Sequence, residues 1–235
     1  MGELTAHNPA HGDEAVVAAR HTEDVLVGGE IVRHRYSSRV IHWSVAGSFI
    51  ICLMTGLPIW TPVFGWMASL FGGLSVCRWL HPWTGAAFFA ASFLMFVHWA
   101  KEMVLRGNEK DWLGPKRILE YMKFSGDDPT VGKYNGGQKL LFWVTSLGTV
   151  GLFLSGLVLW NPLLVPQFVR ELGILLHDFT FIAFVVAIIG HAYLGSAAEP
   201  GTFRAMTRGT VTKPWARLHH PAWYREVTGD DDQRK

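Results

Sequence analysis

Four runs of about 20 apolar residues dominate the sequence, and each run is almost free of charged side chains. A helix of about 20 residues is long enough to cross the hydrocarbon core of a bilayer. The runs lie at about 41–60, 83–100, 140–160 and 174–194. Only 17% of the chain is charged, against roughly 25% in an average soluble domain. The sequence therefore predicts an all-α integral membrane protein built as a four-helix bundle.

The distribution of Lys and Arg predicts the orientation of this bundle. Of the 21 Lys and Arg residues, 19 lie before the first run, between the second and third runs, or after the fourth. The short connections 61–80 and 161–173 carry one each, Arg78 and Arg170. Because cytoplasmic loops are rich in Lys and Arg, both termini are expected in the cytoplasm. A net charge of +2 is too small to indicate a nucleic-acid partner.

The sequence also predicts the character of the segments outside the four apolar runs. Residues 1–32 have no periodic apolar face and no signal-peptide core, so we expect a flexible cytoplasmic arm. Residues 33–228 form the predicted membrane domain, and 229–235 a polar tail. Within the long loop, residues 114–124 ("GPKRILEYMKF") are expected to form an amphipathic helix along the membrane surface.

Five of the eleven histidines fall at membrane depth: His42, His81, His98, His177 and His191. Polar groups inside a bilayer are costly and usually functional. A single such histidine is explained equally well by a hydrogen bond to a neighbouring helix. Five of them, with almost no carboxylates in the membrane to partner them, favour a functional role.

The predicted topology sorts these histidines into two levels. His177 and His191 are fourteen residues apart, which on a helix is about 21 Å along the axis and within roughly 40° of one face. His81 opens the second run and can meet His177 at the outer level. His42 opens the first run and can meet His191 at the inner level. His98 competes for the inner site, but it points about 100° away from His81, so we expect it to contact a loop or the surface.

Two stacked bis-imidazole sites in a helix bundle are typical of b-type haem. The chain has only Cys52 and Cys77 and no C-x-x-C-H, which excludes covalent c-type haem and iron–sulfur clusters. Zinc prefers three or four close ligands, and each level offers two. Arg39 lies three residues before His42, and Arg78 lies three residues before His81. Each of these Arg residues could therefore pair with a haem propionate. An Arg at the end of a span is also common in itself.

Several longer motifs carry a resemblance to a known family. These are "RHRYSSRVIHW", "RWLHPWTG", "VGKYNGGQK" and "KPWARLHHPAWYREV". They resemble the gamma subunit of membrane-bound respiratory formate dehydrogenase, over about residues 30–228. The resemblance implies a protein of the bacterial inner membrane whose four helices hold two haems b. The family's ligand positions match His42, His81, His177 and His191, in the pairing that the topology also predicts.

The resemblance also implies a quinone site beside His191, with Asn135 and Gly137 as its residues. An amide and a backbone N–H can both hydrogen-bond a quinone carbonyl, of menaquinone or of ubiquinone. Taken alone, "YNGGQ" is better explained as a turn before a helix, because Asn-Gly and Gly-Gly favour positive φ. With the resemblance taken into account, the quinone site is the favoured explanation.

The implied partners are an iron–sulfur (beta) subunit and a molybdenum or tungsten (alpha) subunit that oxidises formate. This chain would then be a lipid-embedded electron-transfer subunit with no formate chemistry of its own. Two alternatives remain open at this point. One is the cytochrome b subunit of a hydrogenase or of another molybdenum oxidoreductase. The other is a haem-free anchor or a proton-handling transporter, although transporters typically have broken helices and internal repeats.

Overall fold

The computed structural model describes residues 9–105 and 129–230. The expected amphipathic helix at 114–124 and the end of the expected polar tail at 231–235 lie outside the described residues. The chain divides into two compact units. We call Ile41–Lys101 with Leu141–Gly190 the bundle unit, and Met1–Val40 with Glu102–Leu140 and His191–Lys235 the polar unit.

Four long helices follow a short N-terminal helix, α1 (Pro9–Ala18). They are α2 (Tyr36–Trp60), α3 (Leu74–Trp99), α4 (Gly136–Trp160) and α5 (Gln167–Tyr193), and α5 continues through a π-helical turn at Leu194–Ala198. All four are long and apolar enough to cross a membrane. The predicted four-span, multi-pass architecture is confirmed. Short 3₁₀ helices at Pro62–Phe71 and Pro162–Leu164 follow α2 and α4.

The helices begin earlier than the apolar runs suggested. α3 begins at Leu74, whereas its run was placed from residue 83, and α2 begins at Tyr36 rather than near residue 41. Arg39 and Arg78 lie in these early turns, where they lower the hydropathy without opposing helix formation. Pro82 lies inside α3, as membrane helices tolerate. The histidines near these ends consequently lie within helices, about two turns or more from their first residues.

One aromatic cluster forms the core of the bundle unit. Phe49, Phe88 and Phe184 come from α2, α3 and α5, and their ring centroids lie 5.1 to 5.7 Å apart. Leu152 of α4 packs against the same cluster. Because all four helices contribute to one core, they form a helix bundle.

The polar unit contains a small antiparallel sheet that the sequence did not predict. Its strands are β1 (Val25–Val27), β2 (Glu30–Val32) and β3 (Thr210–Thr212), in that spatial order. Gly28 and Gly29 form the two-residue turn between β1 and β2, and both have positive φ, 54° and 84°, as tight hairpin turns require. From Pro9 onward, the segment expected to be a flexible arm therefore has regular structure. Its third strand lies about 180 residues further along the chain, so no local pattern reveals it.

Three further short helices among the described residues belong to the polar unit: α6 (Thr202–Thr207), α7 (Lys213–His219) and α8 (Pro221–Thr228). Ile31 of β2 and Val211 of β3 pack with Trp215 and Trp223 in a buried core. Nη2 of Arg204 lies 2.6 Å from both carboxylate oxygens of Glu30, which is 4% exposed. This buried ion pair links the N-terminal hairpin to the C-terminal helices.

Candidate functional site

The bundle unit brings His81 of α3 and His177 of α5 together. Their ring centroids lie 6.3 Å apart with the ring planes 75° to each other, and both side chains are partly buried. These are the two histidines that the topology placed at one level. They meet although no hydrogen bond joins the two rings.

Each of these imidazoles is held through its Nδ1 atom. Nδ1 of His81 lies 3.1 Å from the carbonyl oxygen of Cys52 and 3.2 Å from Oγ1 of Thr55. Because a carbonyl oxygen can only accept, Nδ1 of His81 carries the proton and donates it. This tautomer leaves the lone pair of Nε2 available for a metal.

The same tautomer follows for His177. Its Nδ1 lies 2.9 Å from Oγ of Ser155, and that hydroxyl already donates to the carbonyl of Gly151 at 2.7 Å. Ser155 therefore accepts, and Nδ1 of His177 donates. A carbonyl or hydroxyl that fixes the tautomer of a histidine is the usual outer partner of a metal-bound imidazole.

The residues present fit a haem iron between the two rings. Two metal–nitrogen bonds of about 2 Å each, plus the distance from each nitrogen to its ring centre, require ring centroids about 6 Å apart. The observed 6.3 Å agrees with this spacing. Among the described residues, no group of three or more His, Cys, Asp or Glu side chains could hold a metal ion.

Glycines on α2 and α4 allow the two rings to lie close to the neighbouring helix backbones. A Cβ added at Gly56 would lie 2.9 Å from Cε1 of His81, too close for the present position of the ring. A Cβ added at Gly156 would lie 3.7 Å from Cε1 of His177, an ordinary contact. Gly56 is therefore the glycine on which the position of His81 depends.

The other predicted ligand positions are distributed between the two units. His42 lies in α2 within the bundle unit, and His191 lies near the end of α5 within the polar unit. Their pairing stays a prediction. His98 is partly buried near the end of α3, and its ring meets the ring of Trp99 edge-on at 4.7 Å.

The two predicted propionate partners differ in their surroundings. Nη1 of Arg39 donates to the carbonyl of Thr207 at 2.7 Å, and its Nε is buried with no hydrogen-bond partner among the described residues. Arg78 is exposed one turn before His81 on α3. Arg39 is thus held within the polar unit, to which it belongs, whereas Arg78 of the bundle unit is exposed.

Asn135 lies immediately before α4 and caps this helix. Its Oδ1 accepts from the backbone N–H of Gln138 at 2.9 Å, and Oε1 of Gln138 accepts from the backbone N–H of Asn135 at 3.0 Å. This reciprocal pair is a capping box. The backbone N–H groups of Gly136 and Gly137, in the first turn of α4, are among those that a helix leaves for an acceptor outside it.

The residues that hold the imidazoles were not among those predicted from the sequence. Thr55 and Ser155 are 0% and 2% exposed, and each hydroxyl bonds both its own helix and one histidine. The available signal was a small hydroxyl residue in the middle of an apolar run. One sequence does not show how two neighbouring helices are rotated relative to each other, so the histidine that each hydroxyl contacts could not be predicted.

Comparison with known proteins identifies the family. The family model described as prokaryotic cytochrome b561 matches residues 33–209. The chain belongs to the prokaryotic cytochrome b561 family. Membership of this cytochrome b561 family implies b-type haem.

Relatives of this cytochrome b561 family member are named as formate dehydrogenase subunits. The chain is 35% identical over 200 residues to the formate dehydrogenase cytochrome b556(fdo) subunit of Escherichia coli (strain K12), covering 84% of this chain and 93% of the relative. It is 34% identical over 203 residues to the formate dehydrogenase cytochrome b556 subunit of Haemophilus influenzae, covering 83% of each chain. It is 32% identical over 201 residues to the nitrate-inducible cytochrome b556(Fdn) subunit of Escherichia coli (strain K12), covering 84% of this chain and 91% of the relative. The resemblance inferred from the sequence motifs is confirmed.

Proposed function

We propose that this chain is the dihaem cytochrome b subunit of a formate dehydrogenase complex and that it passes electrons from formate to a membrane quinone. The relatives described above carry formate dehydrogenase in their names. By the same similarity, its partners are an iron–sulfur (beta) subunit and a molybdenum or tungsten (alpha) subunit. Its location is the bacterial inner membrane, with both termini in the cytoplasm.

The observation that carries the proposal is the His81–His177 pair. Both rings are locked with Nδ1 as donor, which leaves two Nε2 lone pairs at a spacing that suits one iron. When bound, haem supplies one-electron redox chemistry. The chain's contribution is to hold the ligands in one tautomer and to exclude water from them.

The second haem site in this proposal uses His42 and His191. His177 and His191 lie on one continuous helix, α5, about 21 Å apart and on nearly the same face. Ligands at these two positions would therefore hold two groups at different depths of the membrane. Arg39 and Arg78 are the proposed partners for haem propionates, one near each level.

The quinone site in this proposal uses the side-chain amide of Asn135 and the backbone N–H of Gly137. Both groups lie at the N-terminus of α4, where a helix presents N–H donors and a partial positive charge. Reduction of a quinone to a quinol takes two electrons and two protons, so these donors would meet an oxygen that gains negative charge. The acceptor is menaquinone or ubiquinone.

The two alternative functions have less support. The relatives described above are named as formate dehydrogenase subunits, and none of these names mentions a hydrogenase. A haem-free anchor or transporter is difficult to reconcile with membership of a cytochrome family.

The proposal is tested by counting haems in histidine variants. We expect His81→Ala or His177→Ala to remove one of two b haems, and His42→Ala or His191→Ala to remove the other. His98→Ala is the control and should retain both haems. Haem content by pyridine haemochrome, with a redox titration to tell the two haems apart, makes the measurement. If His98→Ala loses a whole haem while His42→Ala loses none, the second pair is wrong.

A further inference from the structure

The loop at residues 129–135, which leads into α4, is held by the C-terminal segment. The backbone N–H of Ala222 donates to the carbonyl of Val131 at 3.0 Å. Nδ1 of His220 lies 2.7 Å from the carbonyl oxygen of Gly132, so it donates there. Burial and the nearby charge of Arg33 lower the pKa of His220 well below its usual value, which keeps this ring neutral. Val131 and Gly132 of this loop are therefore held by hydrogen bonds from the C-terminal segment of the chain.

Arg33, which lies in the N-terminal part of the chain, contacts the next two residues of the same loop. Its Nη2 donates to the carbonyl of Lys133, and its guanidinium lies 5.8 Å from the ring centroid of Tyr134. Two more rings surround the guanidinium, Trp215 at 5.0 Å and Trp223 at 5.1 Å. Arg33 thus contacts both residues that directly precede Asn135.

Burying the charged guanidinium of Arg33 costs free energy, and holding a loop in place does not by itself require a buried charge. The side chain is 2% exposed, burial lowers its pKa to about 10, and its Nη1 has no hydrogen-bond partner among the described residues. The guanidinium remains charged at neutral pH. The charges of Asp24 and Glu199 offset the effect of burial only in part, because the pKa of Arg33 stays lowered. A buried cation destabilises a fold unless charges, rings or dipoles compensate, and an apolar residue of similar size is often as stable.

The side chain of Lys133 ties the loop to the hairpin as well. Its Nζ lies 2.8 Å from Oδ2 of Asp24, and Oδ1 of the same carboxylate accepts from Nε1 of Trp223 at 2.8 Å. Lys133 is therefore fixed at both its carbonyl and its ammonium group. The backbone just before Asn135 has little freedom as a result.

We propose that Arg33 is a positioning residue for quinone reduction. Through the carbonyl of Lys133 and the ring of Tyr134, it sets the place of Asn135 and of the first turn of α4. This inference rests on the proposed quinone site at Asn135 and Gly137. A hydrogen-bonding site on a loop is only as well oriented as the residues that support it.

Arg33→Met tests this role, because it removes the donor and the charge and fills the space with apolar atoms. We expect both haems to be retained in the purified complex. The concentration of menadione that gives half-maximal reoxidation of the dithionite-reduced protein should rise severalfold, with a smaller change in the maximal rate. Backbone amides of residues 131–135 should exchange faster with deuterium. Arg35→Met is the matched control: Arg35 is exposed two residues away and should behave as wild type in all three measurements.

The outcomes separate the positioning role from the quinone site itself. If Asn135→Asp raises the half-maximal menadione concentration but Arg33→Met does not, only the positioning role is wrong. If Asn135→Asp also leaves it unchanged, the proposed quinone site is wrong, and the inference fails with it. Arg33→Lys keeps the charge and serves as a second variant in case Arg33→Met does not accumulate. If neither variant accumulates, the role of Arg33 is structural, and the proposal is overturned.

Discussion

At the scale of single residues, Asn135 carries a donor and an acceptor on one side chain, and helix capping needs only the acceptor. Oδ1 accepts from the backbone N–H of Gln138. The two explanations of "YNGGQ", a turn before a helix and a quinone site, therefore use different atoms and are compatible. The structure supports the capping role, and the quinone role stays a proposal.

Asn135→Asp separates the two roles, because Asp caps a helix about as well as Asn but has no amide donor. We expect quinone binding to weaken by about 1 kcal/mol, or about fivefold in the half-maximal quinone concentration, with both haems in place. Asn135→Ser, which also caps but adds no charge, should have the same effect.

Gln138→Ala is the control for the cap. It removes the acceptor for the N–H of Asn135 without touching the amide of Asn135. We expect lower thermal stability and an unchanged quinone dependence. Equal losses of quinone binding in Gln138→Ala and Asn135→Asp would mean that the cap, and not the amide, is what quinone reduction requires.

At the scale of single elements, α2 offers two glycines with different surroundings. A Cβ at Gly56 would lie 2.9 Å from Cε1 of His81, whereas a Cβ at Gly47 meets nothing within 4 Å. Both positions are inside the same helix, so replacement by Ala favours helix formation to the same extent, by about 1 kcal/mol. We expect Gly56→Ala to displace His81 and to weaken or remove the haem held with His177, while Gly47→Ala keeps both haems.

Haem content and the midpoint potentials of the two variants provide the measurement. Full haem content with wild-type potentials in Gly56→Ala would show that this close approach does not set the position of His81. A loss of haem in Gly47→Ala as well would point instead to a general effect on the packing of α2.

How far the elements could be predicted depended on whether the signal was local. The four helices follow from four apolar runs, and the early turns of α2 and α3 lie outside those runs because Arg39 and Arg78 interrupt the hydropathy. The hairpin signal was present in Gly28-Gly29 between two short apolar stretches. The two strands of the hairpin are only three residues long, and β3, the strand that pairs with β2 on its other side, is far away in the sequence.

Site residues followed the same rule. His81 and His177 could be paired from span order alone, and they do meet. The hydroxyl groups of Thr55 and Ser155 could not be assigned to them, because that requires the relative rotation of neighbouring helices. The contacts between Arg33, Trp215 and Trp223 lie beyond prediction for the same reason, since they join residues about 180 or more positions apart.

At the scale of the whole molecule, the Lys and Arg distribution predicts which side of the membrane each connection faces. Leu163, in the connection after α4, is 92% exposed, and Leu218, in the polar unit, is 63% exposed. We expect Leu163→Cys to react with a membrane-impermeant maleimide in intact spheroplasts. Leu218→Cys should react only after permeabilisation, which makes it the matched control. The native Cys77 is fully buried and Cys52 partly buried, so background labelling should be low.

The result also bears on energy conservation. Asn135 and Gly137 belong to the polar unit, as does Leu218. If that unit faces the cytoplasm and the proposed quinone site is correct, protons for the quinol would be taken from inside while electrons arrive from outside, which would charge the membrane. Labelling of Leu218→Cys in intact spheroplasts would reverse this orientation and remove the argument.

The order of chain synthesis determines when the contact between Asp24 and Trp223 can form. These residues are 199 positions apart, and the hydrogen bond between them shares its carboxylate with Lys133. The four apolar helices all precede residue 223 in the chain, so they leave the ribosome first, and the polar unit can be completed only after its last segment emerges. A prematurely terminated chain would keep the paired imidazoles of the bundle but lack the residues that fix the loop before Asn135. If the proposed quinone site is correct, only a completed chain can order it, so an electron held by an unfinished subunit would have no ordered exit to a quinone.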